Sequence, residues 1–281
     1  MKQITFGIVL FAALLTLFTH PVSAERVSHF KKVMIVIFEN TDYNDTMHQS
    51  FFSQLASQGA LLTNLYAETH PSQPNYIALI SGSVQGSNSD ELIDIDARHI
   101  GDLLEAKGKQ WKVYAEKYPG NCFLGDRSKT YVRKHVPFVS FKNVQNNSER
   151  CKRIVSEAEL AKDIQNGTLP DYSLYIPDLN NDGHDTGIEF ADRWFSKTFG
   201  PLLSNRAFMK DLLLISTFDE SGIFGGNRIY TSLYGDGVSP ASTSNAGYSH
   251  YSILRTIEDE LGLGTLGLED STAEPITGVW K

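Results

Sequence analysis

Two hydrophobic rhythms alternate along the chain. Runs with few polar residues, VMIVIF (33–38), LLTNLYAE (61–68), WKVYAE (111–116), YSLYI (172–176), DLLLIST (211–217) and NRIYTSLY (227–234), read as strands. Helical spacing fills the intervals. Met47, Phe51, Phe52 and Leu55 share one face, and PNYIALISG (74–82) opens a helix with Pro74 in its first turn. ARHIGDLLEAKG (97–108) stops at a glycine, and SEAELAKDI (156–164) starts with a Ser156/Glu159 capping box. EFADRWFSKTF (189–199) and SHYSILRTIEDELG (249–262) complete the series. This alternation predicts an α/β fold with a mostly parallel central sheet flanked by helices.

Ligands of such sheets bind beyond the carboxyl ends of the strands, so the residues after each strand carry the functional signal. Those residues are Glu39-Asn40, THPSQPN (69–75), PDLNNDGHDTGIE (177–189) and FDES (218–221). In a parallel sheet the four clusters converge at one edge. Glu39, Asn40, Asp219 and Glu220 supply oxygen ligands suited to a divalent magnesium, calcium or manganese ion. Adding His184 or His250 shifts the preference towards zinc. Ser72 falls at a helix start, where free N–H groups seat a phosphate and a metal can activate a hydroxyl. Taken singly, Ser72 also fits a plain helix cap, and the acidic pairs fit ordinary turns. No G-x-S-x-G elbow occurs, which disfavours an α/β-hydrolase. His250 opens the last helix, where the dipole favours a neutral imidazole that can bind metal or polarise a phosphate oxygen. Ile253, Leu254, Ile257 and Leu261 behind it form a core stripe.

The segment 177–189 also matches a calcium loop, with Asp178, Asn180, Asp182, Gly183 and Glu189 in register. Its entry is strand-like rather than helical, and loop position 8, usually apolar, is Asp185. It reads better as a strand-end loop presenting His184 and Asp185.

Composition adds compartment and partners. Lys2 precedes an apolar run from Ile4 to Phe18, and Val22-Ser23-Ala24 suits cleavage, so residues 1–24 read as a signal peptide. The run is shorter than the roughly 18–20 residues of a membrane span, and no later stretch approaches that length. The expected mature chain, 25–281, has 281 − 24 = 257 residues and is secreted or periplasmic. Its charge goes from −8 to −9 on loss of Lys2, which argues against nucleic-acid binding. Cys122 and Cys151, alone in an oxidising compartment, are expected to form one structural disulfide. Residues 126–153 carry eight Lys/Arg against Asp126 and Glu149, 8 − 2 = +6. That is either a solvated loop or a surface for anionic substrates and phospholipid head groups. Asn44, Asn146 and Asn166 lie in glycosylation sequons.

Taken together, FEN (38–40), THPSQPNY, WKVYAEKYPGNC, YVRKHVPF, PDLNNDGHD, TFDES and HYSILRTIEDELGL resemble the bacterial and fungal phosphoesterase family of the alkaline-phosphatase superfamily. That family holds acid phosphatases and phosphatidylcholine-type phospholipases C. The resemblance covers nearly the whole mature chain and is greatest to short secreted acid phosphatases, some acting on phosphatidylinositol 3-phosphate. It implies an alkaline-phosphatase-like fold and phosphate-monoester hydrolysis through a phosphoserine at Ser72. Asn75 would steady the transferring oxygens, and Glu39, Asn40, Asp219 and Glu220 would hold the metal. His184, Asp185 and His250 match the family's catalytic histidines and aspartate, while Lys134 and His135 match a basic pair facing the substrate phosphate. Asp178 stands where similar sequences often carry Asn, and the cysteines some relatives have near His-Asp are missing. His184 and Asp185 therefore carry over ahead of Asp178 and Asp182. Two rivals remain: a phospholipase C or other phosphodiesterase, and a secreted, non-enzymatic calcium-binding protein.

Overall fold

A computed structural model describes Met1, Gln3 and residues 28–281. The expected signal peptide and its cleavage point near Ala24 lie outside the described residues. Among the described residues, the largest sheet has eight strands: β1 (Lys32–Phe38), β2 (Ala60–Leu62), β3 (Trp111–Ala115), β4 (Ile154–Ser156), β5 (Tyr172–Ile176), β6 (Leu212–Phe218), β7 (Thr231–Gly235) and β8 (Ser242–Ser244). Their spatial order is β8-β2-β7-β6-β1-β5-β3-β4. The run from β6 to β4 is wholly parallel, and β7 enters antiparallel to both β6 and β2. The expected mostly parallel α/β sheet is present.

The flanking helices are α1 (Ser50–Gln58), α2 (Ser72–Ser81), α3 (Ile100–Ala106), α4 (Ala158–Asn166), α5 (Ile188–Leu203) and α6 (His250–Glu260). Burial on both faces explains why β1 has no alternation: Val33 to Phe38 are all buried. At its end the Phe38 ring meets Phe52 of α1 and Phe195 of α5, each at 4.9 Å, and Phe218 of β6 at 5.4 Å. Aromatic contacts of this kind add to the gain from burial. They pin the register in which Phe38 lies opposite Phe218. That register brings the next residues, Glu39 and Asp219, side by side, and Asp219 N–H donates to the Phe38 carbonyl at 2.9 Å.

Local expectations failed at three places. LLTNLYAE is not one strand: 60–62 join the main sheet, while Leu65–Tyr66 pair with Tyr248–Ser249. The apolar face through Met47 and Leu55 belongs to two helices, Tyr43–Met47 and α1. The Ser156/Glu159 capping box does not form. Ser156 is committed to β4 opposite Ala115, so α4 starts two residues later, with Glu157 before it and no side-chain cap. The Cys122–Cys151 disulfide is present, with Cα atoms 5.2 Å apart. No helix among the described residues is long and apolar enough to cross a membrane.

Candidate active site

Parallel strand ends and one helix start build the cluster. Ser72 is the first residue of α2, a helix buried over its whole length that ends at Gly82 in the left-handed region (φ 68). Its hydroxyl faces Glu39 Oε2 at 3.1 Å, Glu220 Oε1 at 3.3 Å and Asn40 Oδ1 at 3.5 Å. Asn40 has φ 37, a conformation asparagine tolerates better than most residues. Its backbone N–H donates to Asp219 Oδ1 at 3.2 Å and its Nδ2 to Glu220 Oε1 at 3.0 Å. The five residues expected from β1, β6 and the α2 start therefore meet at one point, and Glu39, Ser72, Asp219 and Glu220 are buried there.

Other expected residues sit differently. His135 does not face open space. It is buried, stacked on Tyr76 at 4.9 Å, with Nε2 2.6 Å from Glu39 Oε1 and Nδ1 3.4 Å from Asp182 Oδ2. Both ring nitrogens are thus taken by carboxylates, so the expected direct contact with substrate is corrected to support of Glu39. Its neighbour Lys134 pairs with Asp90 at 2.7 Å. Asn75 is engaged with its own loop: Oδ1 accepts from Glu68 and Thr69 N–H at 3.0 Å, and Nδ2 donates to the Thr69 carbonyl at 2.8 Å. It shapes the turn before Ser72. His250 is fully buried, drawn inward by the apolar stripe of α6. Its Nε2 donates to the Phe218 carbonyl at 3.0 Å, so it braces the backbone just before Asp219.

His184 and Asp185 are exposed and paired, Nδ1 to Oδ1 at 2.7 Å. Asp182, ranked below them from sequence, is buried and central. Its carbonyl accepts from Glu39 N–H at 3.1 Å, its Oδ1 from His184 N–H at 2.8 Å, and its Oδ2 faces His135. Asp178 instead binds the Thr130 hydroxyl at 2.6 Å and the N–H groups of Asn180 and Asn181. With those oxygens occupied by donors, the calcium-loop match has no open ligand set at Asp178. Sequence reasoning missed His70, whose Nδ1 lies 2.6 Å from Glu220 Oε2. It also missed Glu116, which accepts from Asp178 N–H at 3.0 Å and Asn181 Nδ2 at 2.6 Å. The first stood in THPSQPN, beside Ser72; the second follows β3 at the same sheet edge.

Packing four carboxylates together has electrostatic consequences. Burial and repulsion from Glu39 and Glu220 push the Asp219 carboxyl well above its ordinary range, and burial raises Glu220 and Asp182 as well. Burial works the same way on Glu39, but His135 outweighs it and lowers that group to about 2. Burial alone would depress His135; Glu39 and Asp182 lift it to about 9. Glu39 Oε1, Asp219 Oδ2 and Glu220 Oε2 are buried without an aligned hydrogen-bond donor. The imidazoles of His135 and His70 lie 2.6 Å from Glu39 Oε1 and Glu220 Oε2 but out of line for a hydrogen bond. Unsatisfied carboxylate oxygens beside an amide oxygen and a hydroxyl match the donor set of a hard divalent cation. Among the described residues, no three His, Cys, Asp or Glu side chains have the spacing of a finished metal site. The fit therefore rests on the orphaned oxygens and their chemistry.

The basic segment 126–153 is largely neutralised from outside. Arg133 pairs with Asp94 at 2.6 Å, Lys134 with Asp90, and Arg150 with Asp102 at 2.8 Å and Glu105 at 2.7 Å. Its count of +6 thus overstates the field it presents, and the segment is a weaker surface for anions than the sequence suggested.

Comparison with known proteins places this geometry. The model of the Phosphoesterase family matches residues 40–264. A probable acid phosphatase of Kluyveromyces lactis is 38% identical over 258 residues, 87% of this chain and 61% of its own length. An acid phosphatase of Aspergillus fumigatus is 36% identical, over 90% of this chain and 60% of its own. The chain thus spans about three fifths of the length of these fungal relatives. A phosphatidylinositol-3-phosphatase of Mycobacterium tuberculosis is 33% identical over 92% of this chain and 85% of its own length. Among solved structures, an alkaline phosphatase superfamily protein of Vibrio parahaemolyticus superposes with a TM-score of 0.60 at 13% identity, covering 88% of this chain and 71% of that one. The lipoteichoic acid synthase of Listeria monocytogenes does so with 0.60 at 12%, covering 90% and 80%. At such identities the superpositions show the fold alone.

Proposed function

The chain belongs to the phosphoesterase family, and on that premise we propose that it is an exported, metal-dependent phosphomonoesterase that works through a phosphoserine at Ser72. The observation that carries this reading is the Ser72 hydroxyl at the start of α2, within 3.1–3.5 Å of oxygens of Glu39, Glu220 and Asn40. Glu39, Asn40, Asp219 and Glu220 would hold a divalent cation, which when bound neutralises charge on the phosphoryl group and acidifies the hydroxyl. Ser72 Oγ attacks phosphorus as the ester P–O bond breaks. Its proton passes to a facing carboxylate oxygen and on to the departing alkoxide. Water then displaces Oγ, releasing inorganic phosphate and restoring the serine. The positive dipole end of α2 favours the negative charge throughout, although Gln73 N–H is already taken by Asp90 at 3.0 Å. His135 holds Glu39, Asn75 holds the turn before Ser72, and His250 holds the backbone before Asp219.

The relatives named acid phosphatase and phosphatidylinositol-3-phosphatase support monoesters, phosphoinositides among them, as the substrate class. The test uses p-nitrophenyl phosphate, its bis-ester and phosphatidylinositol 3-phosphate, with and without chelator. Ser72→Ala is expected to lower monoester turnover by ~10³-fold or more. Full activity in that variant would refute the nucleophile and make Thr69 the next candidate. Faster turnover of the bis-ester would favour a phosphodiesterase. Calcium-dependent stability without hydrolysis of any ester would favour a binding protein.

A further inference from the structure

The segment Ser221 to Asn227, SGIFGGN, begins directly after Glu220 and contains no charged residue. At its tip Ile223 is 87% and Phe224 98% exposed, the two most exposed large apolar side chains within residues 28–281. The tip is not loose. Ser221 N–H donates to Asn227 Oδ1 at 3.2 Å, Asn227 N–H donates to Ser221 Oγ at 3.0 Å, and Gly225 N–H closes onto the Gly222 carbonyl at 2.9 Å. Gly222 and Gly225 sit so close to Asp42 that a Cβ at either would lie 2.8 or 2.1 Å from its Oδ1. At the base, the Arg228 guanidinium lies over the Tyr43 ring at 3.7 Å, and Arg228 bridges to Tyr66, itself 41% exposed. An apolar point above a collar of tyrosines and one arginine has the polarity profile of a membrane interface: acyl chains, then ring and cation at head-group level. The Ser221–Asn227 hydrogen bonds and the two glycines packed on Asp42 give that point a defined base.

We propose that Ile223 and Phe224 form a docking tip that inserts into a phospholipid bilayer and brings membrane-borne phosphate monoesters to Ser72. The proposal rests on the phosphomonoesterase reading of the same site for its substrate, but the docking is separable. The tip follows directly on Glu220, whose Oε1 faces the Ser72 hydroxyl at 3.3 Å, so a bilayer that takes up Phe224 is tethered within four residues of that contact. Arg228 at the base meets lipid phosphate oxygens.

The experiment compares the full chain with Ile223→Ser/Phe224→Ser on three probes: p-nitrophenyl phosphate, a water-soluble short-chain phosphatidylinositol 3-phosphate, and phosphatidylcholine vesicles carrying the long-chain lipid. The double variant is expected to match the parent on both soluble esters and to lose tenfold or more in vesicle flotation and vesicle-bound turnover, from the apolar area no longer buried. Phe224→Trp is expected to retain flotation, with its emission shifting to the blue on mixing with vesicles. The docking is overturned if the double variant floats and turns over vesicle lipid like the parent. It is equally overturned if the parent hydrolyses soluble esters but does not float, or if the double variant loses the soluble activity too. A variant that changes only self-association, with flotation intact, also overturns it. Flotation without hydrolysis of any ester supports the docking while refuting the phosphatase reading.

Discussion

His99 makes a pH-dependent stability prediction that is independent of any metal. The residue is fully buried at the start of α3, where its Nδ1 accepts from Gly101 N–H at 3.0 Å and therefore carries no proton. Its Nε2 donates to Asn143 Oδ1 at 3.1 Å, and the Phe138 and Phe141 rings lie 5.1 and 4.9 Å away. Burial, with Arg150 adding to it, outweighs Asp102 and lowers the imidazole from 6.5 to about 4. The unfolded chain thus binds this proton more readily than the folded one. The stability contribution is full above pH 6.5 and is lost as pH falls towards 4. The shift of 6.5 − 4 = 2.5 units is worth about 3 kcal/mol when complete. About 2 kcal/mol of it is lost between about pH 7.5 and about pH 5. His99→Asn keeps an oxygen to cap Gly101 N–H but removes the titration. It leaves a cavity that costs stability at every pH, so the informative quantity is the difference between the two pH values. Urea denaturation near both values is expected to show a loss on acidification smaller by about 2 kcal/mol in the variant. An unchanged acid dependence would refute the assignment of the proton-free Nδ1.

Two further predictions concern the site. Glu116→Ala frees Asp178 N–H and Asn181 Nδ2, loosening the loop that carries Asp182. We expect kcat on p-nitrophenyl phosphate to fall ~10-fold or more from the lost positioning, and Glu116→Gln, which retains an acceptor, to recover most of it; equal loss in both variants would show that the carboxylate charge matters instead. Asp219 has its proton affinity raised by burial and by Glu39 and Glu220, so without a cation its ionisation costs stability that is lost as pH rises above the ordinary range of an aspartate. Asp219→Asn should therefore melt no lower than the parent after chelation near neutral pH, yet lack the rise in melting temperature that manganese is expected to give the parent; a manganese-induced rise equal to the parent's would remove Asp219 from the ligand set.

The positions readable from sequence were those fixed by strand ends. Phe38 and Phe218 are the last residues of adjacent parallel strands in register, so Glu39-Asn40 and Asp219-Glu220 had to meet. Ser72 was legible as a helix start, its role only through the family resemblance, and its place beside Glu39 and Glu220 is given by the folded chain. What stayed hidden depended on loop paths, which no periodicity encodes. His135 ends a single 3-10 turn, Arg133–His135, and only the folded chain shows it between Glu39 and Asp182. The exposed pair His184-Asp185 drew attention by its chemistry, whereas the buried Asp182, two residues earlier, makes the contacts. The +6 count over 126–153 misled for a related reason: Asp90, Asp94, Asp102 and Glu105, which neutralise it, lie outside the segment.

The same charge accounting bears on how a phosphate could reach Ser72. Glu39, Asp219 and Glu220 crowd the hydroxyl, with Asp182 behind them across His135, and an incoming phosphate adds further negative charge. The basic groups nearest the cluster are committed, His135 to Glu39 and Asp182 and Lys134 to Asp90. Protonating Asp219 and Glu220 would ease the repulsion but would supply no positive charge to bind the ester. A divalent cation held by Glu39, Asn40, Asp219 and Glu220 would do both at once. It would relieve the raised carboxyl groups and turn a repulsive cluster into an electrophilic one. The burial of these oxygens, costly in the protein alone, is thus consistent with a site built for a cation before it is built for a phosphate.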